Sequence, residues 1–273
     1  MKTQLTTLGA TAILGLGMAF QAAATPMFTV DPTGLGGSNT FDADRISGVS
    51  STLITLDPGT ETGTGSGWVR FTAFTLDGLA VTDGGLNDVG GYELFITFTY
   101  DLELDLGTFG QVPSFYNLTS LSYELFGAAQ GTTVFTSANA NTNTAATAVN
   151  NDASLQLIGS GSLIDGSASL TTAGGGTVAA PLNALTTYGN ELPFGPQFFT
   201  YPDPFYSLAF SAFTNEGQGA VIEGSLIGVQ GIANITLDGT TQVPEPATLA
   251  LMGLGLLGLG VASTRRRKQA LSA

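Results

Sequence analysis

The chain has 273 residues, of which 38 are glycine, 10% are charged and none is cysteine or histidine. It therefore has no disulfide, no thiolate nucleophile, no imidazole base and no imidazole metal ligand. Residues 25–242 carry 20 acidic and two basic side chains, and this net charge of −18 repels phosphate backbones, which argues against a nucleic-acid partner.

Residues 1–24 have the pattern of an export signal peptide. Lys2 supplies a short positive region, an apolar run extends from Thr11 to Phe20, and the alanines at 22–24 offer a small-residue cleavage site. The sequence then becomes polar and rich in turn residues. This pattern predicts an exported protein whose mature chain starts near Thr25.

Residues 25–242 show the two-residue period of β-strands and little helical periodicity. In the clearest run, Tyr92–Leu106, large apolar side chains alternate with mostly acidic and threonine side chains. The run is longer than a typical strand, so we expect a bend or bulge in it. Similar runs at 68–76, 205–213 and 220–237 are separated by Gly/Asp turns, which predicts an all-β, antiparallel β-sandwich or jelly-roll-like body.

Two segments of the body stand apart from this pattern. Ser137–Asp152 is a low-complexity run of alanine, asparagine and threonine, and we expect a long surface loop or a flexible connection there. Residues 198–206 are dense in aromatic residues and proline. Exposed aromatic rings could stack on sugars, but a core strand entered through a proline-rich turn is the favoured interpretation.

Acidic side chains suggest two weak calcium sites. Asp101, Glu103 and Asp105 alternate along one strand face, and carboxylate oxygens are the ligands that Ca²⁺ prefers. Their spacing does not fit an EF-hand loop, and a solvated strand face is the favoured alternative. Asp83–Asp88 could form a calcium loop, but a glycine-rich turn explains it better. No cofactor is predicted apart from this candidate Ca²⁺.

The C-terminal segment, residues 243–268, has three parts in a fixed order. Val243, Pro244, Glu245 and Pro246 come first, and the two prolines keep the backbone extended. An uncharged apolar run at 247–262 follows, long enough for about 24 Å of helix. A cluster of four cations then marks the cytoplasmic side of a predicted transmembrane helix: Arg265, Arg266, Arg267 and Lys268.

This order of motif, apolar helix and basic stop closely resembles the PEP-CTERM sorting signal of Gram-negative bacteria. The resemblance implies that an exosortase recognises Pro244, Glu245 and Pro246 as part of its substrate. Three stretches of the body, at 28–37, 41–51 and 201–213, are also similar to the flocculation-associated subgroup of PEP-CTERM proteins. That similarity implies a role in exopolysaccharide-dependent cell aggregation.

The sequence thus predicts a non-enzymatic surface or matrix protein that supports floc or biofilm formation. Its expected partners are an exosortase, exopolysaccharide and, through the C-terminal helix, the membrane that anchors it before processing. A carbohydrate-binding surface module is the first alternative. A polysaccharide-active enzyme with two catalytic carboxylates is the second, although no spacing of acidic residues selects such a pair.

Overall fold

The computed structural model describes residues 26–172, 176–214 and 220–238. In these ranges the chain forms antiparallel strands joined by turns, with two 3₁₀ turns at Thr33–Leu35 and Ala140–Thr142 and one short helix, α1, at Gly195–Phe198. The strands are β1 Phe28–Val30, β2 Phe41–Ala43, β3 Arg45–Asp57, β4 Thr62–Leu76, β5 Leu79–Ala80, β6 Tyr92–Gly107, β7 Ser114–Ala129, β8 Thr133–Thr136, β9 Thr147–Asn150, β10 Gln156–Thr172, β11 Val178–Ala179, β12 Leu182–Thr187, β13 Gly189–Asn190, β14 Phe199–Tyr201, β15 Leu208–Thr214, β16 Val221–Glu223 and β17 Leu226–Asp238.

The main sheet closes on itself through β10. One edge of β10 pairs with β7 and the other pairs with β12, and both pairings are antiparallel. The remaining neighbours follow in the order β12, β15, β17, β3, β4, β6 and β7, which completes a ring of eight strands. The all-β, antiparallel prediction is therefore confirmed, but one continuous sheet replaces the two separate sheets of a sandwich.

The long alternating run of the sequence forms β6, and the expected irregularities are present. The register of β6 against β7 shifts between Asp101 and Leu102 and again between Leu104 and Leu106. Before these shifts, Phe98 and Tyr100 face the interior and are about 5% exposed or less. A long strand stays continuous in this way while the sheet curves, because each bulge adds local bend and twist.

The interior of the closed sheet is filled by side chains. An eight-stranded closed sheet has an interior just wide enough for side chains to fill. Two interior gaps among the described residues have volumes of about 10 and 20 Å³, which is room for about one water molecule each. The walls are rich in large residues from several strands, such as Phe98, Leu121, Tyr123 and Ile235. A ligand must therefore be sought on the outer surface.

One end of the ring is covered by a cap, which consists of β1, β2, β14 and α1. Strand β1 pairs with both β2 and β14 in a separate three-stranded sheet. Phe28 of β1 contacts Phe74 and Phe199 edge to face, with ring centroids 6.5 and 5.7 Å apart. Such aromatic pairs add about 0.5–1.5 kcal/mol each beyond the area that they bury. The cap and the ring interior thus form one hydrophobic core.

A second small core lies outside the ring, under a cover formed by β8, β9 and the 3₁₀ turn between them. Trp68 of β4 is 6% exposed beneath this cover, and its indole Nε1 donates a hydrogen bond to the carbonyl of Thr136 at 2.8 Å. The ring of Phe135 lies 5.0 Å from the indole. At the turn of the cover, the backbone N–H of Ala138 donates to Ser51 Oγ at 2.8 Å.

The loop prediction for Ser137–Asp152 is therefore wrong in part. The segment contains β9 and the 3₁₀ turn, and Ala138, Ala140 and Ala146 are buried against the sheet. Small alanine side chains let the backbone approach the sheet closely, and strand pairing satisfies its polar groups. The sequence did not indicate that this segment packs on the sheet, because its apolar residues are few and small.

The buried side chain of Glu93 accepts hydrogen bonds from the turn that leads into the cover. Glu93 is 1% exposed and accepts hydrogen bonds from the backbone N–H groups of Thr133 and Gly131, at 2.7 and 3.2 Å. The hydroxyl of Thr132 donates to the same carboxylate at 3.4 Å. These bonds give the buried side-chain oxygens of Glu93 their hydrogen-bond partners.

Candidate functional site

Three asparagines lie in one row across the outer face of the closed sheet. Asn117 on β7 is opposite Ser167 on β10, and Ser167 is opposite Asn183 on β12. The row continues through Ala212 on β15 to Asn234 on β17. Because directly paired residues project from the same face of a sheet, the three amide side chains share one surface. At about 4.8 Å per strand, the row extends over about 19 Å measured along the curved sheet.

This row forms the floor and sides of an open depression with a volume of about 730 Å³. It is larger than either interior gap by more than an order of magnitude. Most of the residues that line it are small or polar. Its lining residues are Arg45, Asn117, Asp165, Gly166, Ser167, Asn183, Ala184, Leu185, Asn234 and Thr236.

Three of the polar side chains around the depression have unused hydrogen-bonding capacity. Asn117, Asn183 and Asp165 are exposed, and their side chains have no hydrogen-bond partner within the described ranges. Asn234 differs, since its Oδ1 accepts a hydrogen bond from Ser47 Oγ at 2.8 Å. That bond fixes the amide of Asn234 in one orientation. Together the groups offer both donors and acceptors to a ligand.

The depression is also electrically balanced, in contrast to the rest of the body. Arg45 is one of only two cations between residues 25 and 242, and Asp165 is the acidic side chain across from it in the lining. One positive and one negative group leave the depression itself without net charge. A ligand without charge meets no electrostatic penalty here.

The sequence analysis did not select these residues. Asparagine is depleted in β-strands, so three asparagines inside strand-like runs were a usable signal. Each sits between two residues that face the core, as in Leu182, Asn183 and Ala184. The register that brings Asn117 next to β10 was not readable from the sequence, because β7 and β10 are separated by the cover.

The calcium candidates lie along the outer face of β6 without converging. Asp101, Glu103 and Asp105 are all exposed. Asp101 is already used, since its Oδ2 accepts a hydrogen bond from Ser120 Oγ at 2.6 Å. In the described part of the chain, no three acidic side chains are grouped as metal ligands. Glu103 is opposite Asn117 and so borders the asparagine row.

The Asp83–Asp88 segment is a turn that its own side chains hold in place. Asp83 Oδ1 accepts hydrogen bonds from the backbone N–H groups of Leu86 and Gly85, at 3.2 and 3.4 Å. Asn87 has a positive φ of 62° and its Oδ1 accepts from Arg70 Nη2 at 3.0 Å. These bonds agree with the glycine-rich turn rather than with an open loop of calcium ligands.

The aromatic cluster at 198–206 belongs to the core, as the favoured interpretation predicted. Phe198 and Phe199 are 0% and 2% exposed and contact each other edge to face. Phe205 stacks on Phe199 with ring centroids 4.7 Å apart. Tyr201 is the exposed exception, at 56%. The cluster is therefore part of the cap, and it does not present a row of rings for sugar stacking.

Several tyrosine hydroxyls are enclosed with the core. Burial raises the pKa of the Tyr123 phenol to about 12, and its hydroxyl donates to the carbonyl of Thr187 at 2.9 Å. Burial also raises the pKa of Tyr188, whose hydroxyl donates to Asn190 Oδ1 at 2.9 Å. Both groups are neutral hydrogen-bond donors at physiological pH, so they hold strands together instead of acting as bases.

The fold and the depression define an all-β protein with a polar depression on its outer face. In the comparisons with known proteins, the PEP-CTERM protein-sorting motif matches residues 242–267. No curated protein and no solved structure matches the chain. The motif indicates an exported protein that is sorted to the cell surface and processed by an exosortase.

The structure does not describe the two terminal segments on which the sorting predictions rest. The predicted signal peptide at 1–24, the predicted transmembrane helix at 247–262, the motif Val243–Pro246 and the basic stop Arg265–Lys268 all lie outside the described residues. Within 26–172, 176–214 and 220–238, no helix has the length and hydropathy that a membrane span requires.

Proposed function

We propose that the chain is a non-enzymatic surface or matrix protein that supports exopolysaccharide-associated cell aggregation. The observation that carries this proposal is the sorting motif at 242–267, whose signal delivers proteins to the exosortase pathway. The similarity of the body to the flocculation-associated subgroup supports it further. Exosortase processing then places the acidic β body outside the cell, in contact with the polysaccharide matrix.

The composition of the body suits a matrix role. A chain without cysteine neither forms nor loses disulfides when the redox state of its surroundings changes, and a closed sheet leaves fewer strand edges for aggregation than an open one. The polar outer face relies on Ser, Thr and Asn, whose neutral hydrogen bonds to a hydrated polymer are not screened by salt as ion pairs are. Neutral contacts and Ca²⁺ bridging between acidic groups are the two routes by which such a body could hold polymer.

The first experiment compares cells that produce the wild-type chain, a Glu245→Ala variant and a Gln269→Ala control in a deletion strain. We expect the wild type and the control to restore aggregation and to yield a protein whose intact mass starts near Thr25 and ends near Val243–Pro246. The Glu245→Ala chain should keep its C-terminal tail and stay with the membrane. Equal processing of all three chains, or aggregation without the protein, would contradict the proposal.

A chelator distinguishes Ca²⁺ bridging from neutral contacts with the polymer. If Ca²⁺ bridges the acidic groups, then chelation should disperse the aggregates, and only this protein together with Ca²⁺ should restore them. If neutral contacts hold the polymer, aggregation should persist in the chelator.

A carbohydrate-binding surface module is the second candidate function, and the polar depression around the asparagine row favours it.

A further inference from the structure

We propose that the depression around Asn117, Asn183 and Asn234 is a binding site for a neutral polysaccharide. The inference deepens the proposed function and rests on it for the source of the ligand. It is carried by three observations: the asparagine row, its unused hydrogen bonds and its balanced charge.

The chemistry of the row matches that of a polyhydroxyl chain. A sugar hydroxyl both donates and accepts hydrogen bonds, and an amide side chain does the same with its carbonyl oxygen and NH₂ group. The carboxylate of Asp165 adds an acceptor, and the guanidinium of Arg45 adds donors. The hydroxyl of Ser167 completes the set.

The shape of the site favours a chain over a single sugar. The row extends over about 19 Å across five strands, which exceeds the width of one sugar ring. The depression is open to solvent along this length, so a polymer can lie across the strands with both of its ends free. Leu185 supplies a small apolar patch among the polar side chains, against which the carbon face of a sugar ring can pack.

The charge of the body selects a neutral polymer. With a net charge of −18, residues 25–242 repel a polyuronate before it reaches the depression. A neutral glucan or mannan meets no such barrier. Inside the depression, Arg45 and Asp165 offset each other, so the site gives no net advantage to an anion.

The positions of the asparagines are fixed by the fold before any ligand binds. Tyr116 and Leu118, on either side of Asn117, are buried in the core, as are Ala233 and Ile235 on either side of Asn234. The backbone therefore needs no rearrangement to present the amides. Sites on rigid strands lose less conformational entropy on binding than sites on mobile loops.

The test uses the protein recovered from cells and four soluble probes: dextran, mannan, a β-glucan and, as the anionic contrast, alginate. Binding is measured by calorimetry and by retardation in gels that contain the polymer. We expect saturable binding of at least one neutral probe and none of alginate. The double variant Asn117→Ala/Asn183→Ala should lose affinity by about fivefold to a hundredfold, because each amide contributes about one hydrogen bond of ordinary strength.

The matched control is Asn141→Ala, which removes an exposed asparagine from the cover, away from the row. It should bind as the wild type does. Circular dichroism checks that all variants are folded, which we expect because the changed side chains face solvent. Saturable binding that the double variant retains, preference for alginate, or no saturable binding of any neutral probe would each overturn the site.

Aggregation assays with the same variants separate this inference from the proposed function. If the wild-type chain restores aggregation but the double variant binds polysaccharide as well as the wild type does, the site fails and the surface function stands. If the wild-type chain does not restore aggregation but its polysaccharide binding is lost in the double variant, the site stands and the proposed cellular role fails. Loss of both binding and aggregation in the double variant supports both.

Discussion

Replacement of Phe135 by alanine tests whether the cover is docked on the sheet. Phe135 lies 5.0 Å from the Trp68 ring and 5.5 Å from the Phe95 ring, and the Arg70 guanidinium carbon lies 5.4 Å from its centroid. Partial burial of a phenylalanine contributes about 1–2 kcal/mol. The aromatic pairs add about 0.5–1.5 kcal/mol each, and the cation–π contact adds about 0.5–1 kcal/mol. Since these contributions overlap, we expect a loss of about 2–4 kcal/mol in the free energy of unfolding.

Tryptophan fluorescence reads this change directly, because Trp68 is the only tryptophan in the chain. The Phe135→Ala variant should shift the emission of Trp68 to longer wavelength as water reaches the indole. Urea unfolding, followed by the same signal, measures the loss of stability. The control is Val134→Ala on the same strand, whose side chain is 67% exposed and should change stability by less than about 0.5 kcal/mol. Unchanged emission and unfolding of Phe135→Ala would refute the docking of the cover on Trp68.

Three further predictions follow from the core and the cover. Glu93→Ala should cost about 2–4 kcal/mol in the free energy of unfolding, because it leaves buried backbone donors without an acceptor. Hydrogen exchange at the turn before β8 should accelerate, and unchanged exchange would argue against this role of Glu93. Gly161→Ala should destabilise the protein by about 1–3 kcal/mol or more in thermal unfolding, because the added Cβ would clash with a backbone oxygen. Gly189→Ala is the control and should be nearly neutral, because its added Cβ would have no atom within 4 Å. The pKa of Tyr123 is raised from 10.0 to about 12, and the stability that this shift adds is complete below pH 10 and is lost as the pH rises to about 12. Spectrophotometric titration of tyrosinate checks this prediction. Ionisation of every tyrosine near pH 10 in the folded protein would contradict it.

The strands of the body could be predicted from the sequence because their alternation is strong. The Tyr92–Leu106 run became β6 with only one residue added at its end, and the irregularity expected from its length is present. The run at 220–237 formed two strands instead of one, with a turn at residues 224–225. A tight turn leaves the alternation on both sides intact, so the two-residue period alone does not reveal it.

The closure of the sheet could not be predicted, since it depends on pairing between strands far apart in sequence. Ser114 of β7 is opposite Leu170 of β10, and β17 pairs with β3 across nearly the whole body. Local periodicity assigns a face to each residue but does not identify the neighbouring strand. The sandwich prediction assigned the alternating residues to the correct faces of their strands. It did not include the strand pairing that closes the sheet.

The candidate site depends on that same closure. Only the pairing of β7 with β10 brings Asn117 beside Ser167, and only the pairing of β10 with β12 adds Asn183. In a sandwich these strands could lie in different sheets, and the three amides would be scattered. The sequence therefore contained the residue types of the site without the arrangement that makes them a surface.

The alternation of each strand also separates the chemistry of this surface from the stability of the fold. The neighbours of each asparagine are buried, and they fix the backbone through the core, whereas the amide itself faces solvent. Substitution of the row should therefore alter ligand binding with little change in the free energy of unfolding, because exposed strand positions away from special contacts contribute about 0.5 kcal/mol or less. This separation lets the same closed sheet present a different ligand surface after a few outward-facing substitutions, provided that the inward-facing residues keep their size.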